Sequence, residues 1–156
     1  MREFVVSCEI SASVDDVWAI LADVEGWPQW TASISQIALL TPKPFGLKSR
    51  VLIQQPRLRK TVWEVTVWDP GHRFQWQSAG LGVRVIADHV LEARHGGTQV
   101  NLAVRFNGPL ASVIGRLSGH LTRRYVQLEA EGLKRRSELS ATPTTDCARD
   151  EAALSP

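Results

Sequence analysis

Ser13-Val-Asp-Asp-Val-Trp-Ala-Ile-Leu-Ala-Asp-Val-Glu-Gly-Trp-Pro-Gln-Trp30 is the stretch on which the fold of this chain turns. Ser13 with Asp16 three residues on is a capping-box signature. Val14, Val17, Trp18 and Leu21 then recur on one side of a 3.6-residue period, which predicts a short helix from about 13 to 22. Gly26 and Pro28 interrupt that helix, and Pro28 is suited to opening a further short helical turn that carries Trp30. Two indoles flanking a proline make a rigid wall. Each ring removes a large apolar area from water yet keeps an N–H that needs a partner, so the pair fits either an ordinary core or the floor of a pocket.

Upstream, Phe4, Val6, Cys8 and Ile10 alternate with Val5, Ser7 and Glu9, the period of a strand with one buried face. Downstream, residues 33 to 107 read as consecutive strands separated by turn signals: Pro42 to Gly46, Pro56, Asp69-Pro70-Gly71, Gly80 to Gly82 and Gly96-Gly97. That spacing predicts an antiparallel meander, and the alternation assigns its faces. Trp63, Val65 and Val67 point inward, as do Phe74 and Trp76. So do Val83, Val85, Ala87, His89 and Leu91, and finally Val100, Leu102, Val104 and Phe106. Arg84, Asp88, Glu92 and Arg94 mark an outer face, and the segment near 33 to 41 has no clear alternation.

Pro109 reads as the first residue of a long terminal helix, whose stripe is Leu110, Ile114, Leu117, Leu121, Tyr125 and Leu128, continuing to about Leu139. Gly115 and Gly119 within it each cost about 1 kcal/mol relative to alanine, so either something passes close by or room is being left, as a neighbouring helix or a ligand would explain. After Ser140 the periodicity stops. The expected organisation is one domain over 1–139 and a flexible tail over 140–156.

Composition narrows the class. A 156-residue chain with 44% hydrophobic and 22% charged residues suits one globular domain. A net charge of +2 does not by itself imply nucleic-acid binding, and none is expected. Lys43, Lys48, Arg50, Arg57, Arg59 and Lys60 lie between Glu25 and Glu64 with no acid among them, which reads either as solvated strand edges or as an anion-attracting stretch. Cys8 and Cys147 fall in unrelated settings and read as reduced thiols. No apolar run approaches the roughly 20 residues that span a bilayer, and Met-Arg-Glu-Phe lacks the core of a signal peptide, so a cytoplasmic location is expected. Histidines 72, 89, 95 and 120 lack metal-site spacing, no phosphate-cradling loop appears, and no serine sits in a G-x-S-x-G elbow. No metal and no cofactor are expected.

Ile10-Ser-Ala-Ser-Val-Asp-Asp-Val-Trp18, Asp23 to Trp30, Val67-Trp-Asp-Pro-Gly71, His89-Val-Leu-Glu92 and Gly97-Thr-Gln-Val100 leading to Gly108-Pro-Leu110 occur in an order that resembles the START-like superfamily. The likeness is to its polyketide cyclase/dehydrase and coenzyme Q-binding type, over about residues 3 to 138. The resemblance implies an α+β helix-grip fold: a curved antiparallel sheet of about seven strands around a long C-terminal helix, two short helices after the first strand, and a cavity between sheet and helix. Such families include lipid, hormone and quinone binders and aromatase/cyclases, and the fold does not choose among them.

Within that expectation His89 is the only ionisable residue on the assigned inward faces, amid Trp63, Trp76 and Phe106. It reads either as the polar handle of a greasy pocket or as a satisfied core histidine. Tyr125 and Trp30 could add a hydroxyl and an indole N–H, or simply fill volume. His120 falls off the stripe, at the surface or rim. The expected partner is a small hydrophobic molecule, a lipid, quinone or aromatic polyketide, held by Trp30, Trp63, Trp76, His89, Phe106 and Tyr125 as in a carrier or sensor. A cyclase or dehydratase using His89 or Tyr125 ranks second, because no inward carboxylate is visible to share the proton transfer. Third comes a module making transient membrane or protein contact through 43 to 60, with Phe45 and Leu58 at its tips. The sequence carries no signal of oligomeric state.

Overall fold

Period-two alternation builds seven strands into one antiparallel sheet, seen in a computed structural model that describes residues 2–80 and 82–141. β1 (Arg2–Ile10) leads into α1 (Val14–Ala22) and a 3₁₀ helix (Val24–Gln29). There follow β2 (Gln36–Leu39), β3 (Arg50–Gln54), β4 (Thr61–Asp69), β5 (Arg73–Gly80), β6 (Val83–Arg94) and β7 (Gly97–Asn107), then α2 (Ala111–Leu117) and α3 (Gly119–Ser140). The seven strands lie in the order β1-β7-β6-β5-β4-β3-β2, with every neighbouring pair antiparallel. This is the helix-grip architecture. No helix among the described residues is long and apolar enough to cross a membrane. Most of the expected tail, residues 142–156 with Cys147, lies outside the described residues.

The expected cap is present: Ser13 Oγ accepts the Asp16 N–H at 3.1 Å, and Asp15 and Asp16 sit favourably in the first turn of α1. Val17 and Leu21 are fully buried beneath it. The following helical turn differs from expectation. It runs through Pro28 instead of starting there, because the turn is 3₁₀ and begins at Val24; Trp30 is the residue that ends it. The Trp27 indole N–H donates to the Leu21 carbonyl at 3.0 Å, so the most buried ring of the pair has its polar atom satisfied inside the protein.

Face assignments hold along β5, β6 and β7, where Phe74, Trp76, Ala87, His89, Leu91, Val100, Leu102 and Phe106 are all buried. In β4 they fail after Val65. A bulge shifts the register between Val65 and Val67, so the phase inverts and Trp68, not Val67, packs on the core, 5.1 Å from Trp18 between ring centroids.

The terminal helix is two helices. Ser118 separates α2 from α3, its hydroxyl donating to the Ile114 carbonyl at 2.7 Å, a bond to the preceding turn that favours a bend. Pro109 stands in the turn before α2, outside it. The buried stripe is correspondingly not the leucine row: Leu110 and Leu117 are exposed, while Ala111, Gly115, Gly119, Tyr125, Val126, Ala130 and Leu133 are buried. What passes close to Gly115 and Gly119 is β1. A Cβ at either position would stand 3.0 Å from Arg2 Cδ or Phe4 Cζ. Gly132 is tighter still, since a Cβ there would overlap the Trp30 carbonyl oxygen. Small residues thus bring α2 and α3 onto β1 and the 3₁₀ helix, and leave them standing away from the middle strands.

Candidate functional site

That stand-off leaves a cavity of about 590 Å³ between the sheet and the helices. Trp63, Trp76 and His89 reach it from β4, β5 and β6, and Phe106 from β7; Tyr125 and Glu129 reach it from α3. Val83, Val85, Val104 and Ile114 line the remaining wall. Leu58, Arg59, Lys60, Ala79 and Gly80 line it while being exposed to solvent, so the β3–β4 loop and the β5–β6 hairpin mark the mouth. A cavity of this size with mainly apolar walls and few polar groups has the dimensions of a small-molecule site.

Of the six residues expected to meet there, Trp63, Trp76, His89, Phe106 and Tyr125 border the cavity and Trp30 does not. Trp30 is 6% exposed, packs on Trp27 at 5.1 Å and lies against Gly132 of α3, so it belongs to the filled end of the interior. His120 is exposed, as expected. Tyr125 lines the wall, but its hydroxyl donates to the Pro56 carbonyl in the β3–β4 loop. It ties α3 to the mouth and has no free proton to offer a ligand.

His89 is 2% exposed and clamped by rings: stacked on its cross-strand partner Phe74 at 4.2 Å and 12°, and edge-on to Trp76 at 5.5 Å. Its Nε2 lies 2.9 Å from Glu129 Oε1. The absence of an inward carboxylate, expected from the strands, is therefore corrected by α3. Among the described residues Nδ1 is buried and has no partner. With Nε2–H donating to the carboxylate, Nδ1 is the ring nitrogen left without a partner. Because Nδ1 is buried, the member of this pair that a ligand can reach is the Glu129 carboxylate, with His89 behind it as the positioning residue.

Asp88 is buried on the outer face, where Arg73 binds both its oxygens at 2.8 and 2.7 Å and Arg105 adds a contact at 3.0 Å. Burial pushes the Cys8 thiol above its usual range, partly offset by Lys134, which disfavours the thiolate needed of a nucleophile. Among the described residues no group of three or more His, Cys, Asp or Glu gathers to hold a metal ion. The basic stretch divides. Lys43 pairs with Glu25 at 3.0 Å and Lys48 approaches Glu64 at 3.9 Å, while Phe45 packs inward on Trp68 and Phe74, so it is no docking tip.

Comparison with known proteins places this geometry. The model of a family described as polyketide cyclase / dehydrase and lipid transport matches residues 1–138. Uncharacterised proteins of Mycobacterium bovis and Mycobacterium tuberculosis are 22% identical over 107 residues, 65% of this chain; the match spans 64% of their length. A crystal structure of TTHA0849 from Thermus thermophilus superposes with a TM-score of 0.70 at 19% identity, over 90% of this chain and 100% of that one. The di-domain ARO/CYC StfQ of the steffimycin biosynthetic pathway superposes with a TM-score of 0.72 at 10% identity, over 88% of this chain and 50% of that one. At such identities the structures speak to the fold alone.

Proposed function

The chain belongs to the polyketide cyclase / dehydrase and lipid transport family, and from that premise we propose that it binds a small, mostly apolar molecule in the cavity, as a carrier or sensor. The ligand is a lipid-, quinone- or polyketide-like molecule whose body lies along Trp63, Val85, Val104 and Phe106 and whose hydroxyl or enol reaches Glu129. The observation that carries the reading is an aromatic-walled cavity of about 590 Å³ whose interior ionisable groups, His89 and Glu129, are joined at 2.9 Å. Apolar area supplies affinity, and a carboxylate held at one end supplies orientation.

The test is a thermal-shift and tryptophan-fluorescence titration with naphthol, naphthoquinone and dodecanol. Ligand bound at one hundred times its Kd adds about 2.7 kcal/mol of stability, enough to raise the melting temperature by several degrees. Glu129→Gln should weaken naphthol about tenfold, as loss of a charge-assisted hydrogen bond does, and leave naphthoquinone unchanged. Absence of any shift across the series would reject the reading.

One observation favours a second reading, proton-transfer catalysis of the kind the aromatase/cyclase likeness suggests. Glu129 would take a proton from a carbon next to a ketone, and His89 Nε2–H would stabilise the carboxylate while it waits. Ring closure or water loss from a poly-ketone analogue should then exceed the buffer rate and vanish in Glu129→Gln with binding retained. A rate equal to buffer would leave the carrier alone.

A further inference from the structure

The helix beside the mouth is unusual in what it shows to solvent. Leu110, Val113 and Leu117 recur at i, i+3 and i+7 along one face of α2, and Val113 and Leu117 are 57% and 82% exposed. The opposite face is committed: Ala111 and Gly115 are buried, and Ile114 and Ser118 line the cavity. Leu58, at the tip of the β3–β4 loop, is also exposed and borders the same cavity. Exposed apolar side chains scattered singly need no explanation, but four around one opening do.

Charge marks the same region. Residues 26–63 and 93–128 contain no Asp or Glu, and the hairpin 79–84 contains none either. Arg57, Arg59 and Lys60 stand on the loop, Arg116 on α2, and Arg123 and Arg124 at the start of α3. All six are exposed, and none is ion-paired among the described residues. By contrast Lys43 and Lys48, farther along the same basic stretch, do have acidic partners. Cations without salt-bridge partners among the described residues thus accompany protruding apolar side chains near the mouth of the cavity, Arg123 standing over the Phe4 ring at 6.0 Å.

We propose that this end of the molecule docks on an anionic lipid bilayer, with Val113, Leu117, Leu110 and Leu58 entering the headgroup boundary and the six cations resting on lipid phosphates. An apolar tip within a basic ring is complementary to both layers of such a surface. Docking there would bring the mouth against the bilayer, so that an oily ligand passes between two apolar phases without crossing water. That purpose rests on the cavity reading; the docking itself rests on the surface residues alone.

The experiment is co-sedimentation of the full chain with vesicles of phosphatidylcholine alone and of an equimolar mixture with phosphatidylglycerol. Binding is expected to the mixed vesicles only, and to fall on going from low to physiological salt, as screened basic contacts do. Each of the six cations replaced by glutamine should weaken it by up to about fivefold. Val113→Ser with Leu117→Ser, both outside the cavity and exposed, should weaken it by at least about tenfold, with an unchanged circular dichroism spectrum and unchanged dodecanol titration in free solution. No association with mixed vesicles, or association indifferent to that double substitution, overturns the proposal. So does binding to an acidic carrier protein in place of vesicles. Vesicle binding that persists in a chain blind to dodecanol upholds docking and removes the cavity reading instead.

Discussion

Trp27, Trp30, Phe74 and Trp76 fill one end of the space between the sheet and α3, whereas Val83, Val85, Val104 and Ile114 border an opening of about 590 Å³ at the other. At the filled end rings meet rings: Trp27 lies 5.2 Å from Trp76, tilted, and Phe74 lies 5.3 Å from Trp76 between centroids, edge-on, as their quadrupoles prefer. Gly132 lets the backbone of α3 come down on Trp30. At the open end branched aliphatics stand among Trp63, Phe106 and Tyr125 and leave the space between sheet and helix unfilled, and the helix side is propped by Tyr125, whose hydroxyl is tied to the loop at Pro56. Residue size at the helix therefore decides where the interior closes. His89 and Glu129 sit at the boundary, with the imidazole clamped in the filled end and the carboxylate facing the open one.

Substitutions should expose that difference, most strongly at the filled end. Trp27→Ala removes a fully buried ring with a satisfied N–H and should cost about 3–5 kcal/mol, read as a fall in the denaturation midpoint. A loss below about 1 kcal/mol would mean that the filled end is not close-packed. Gly132→Ala should cost about 1–3 kcal/mol, because the added methyl meets backbone, which cannot rotate away. If that variant were as stable as the parent, the approach of α3 to Trp30 would not be set by glycine. Smallest in stability is Val85→Phe at the open end. The larger side chain enters empty space, so stability should stay within about 1 kcal/mol of the parent, while naphthoquinone binding falls at least tenfold. Equal binding by this variant would place the ligand elsewhere.

The sheet was legible because its period of two is exact in geometry, and β5 to β7 follow it residue by residue. It broke at Thr66, where one inserted residue turns Trp68 inward and Val67 away, and nothing in Val65-Thr66-Val67 announces a bulge. The helix was less legible, since residues 110–128 offer apolar side chains on several faces. The buried face is the one with small residues, Ala111, Gly115 and Gly119, which a search for leucines passes over. Glu129 was missed because a helical carboxylate is usually a solvated one. Its position four residues after Tyr125, on the same side as a buried stripe, was the available signal. Without it His89 stands alone on the strands and reads either as a polar handle or as a satisfied core histidine, whereas the structure gives it Glu129 as its partner.

The most direct test of an interior filled at one end and receptive at the other is methyl-detected NMR of the chain titrated with naphthol, naphthoquinone and dodecanol. The account predicts shifts at Val83, Val85, Val104 and Ile114, with Val17, Leu21 and Leu133 staying still. Shifts confined to Val17, Leu21 and Leu133, or none anywhere with all three compounds, would contradict it.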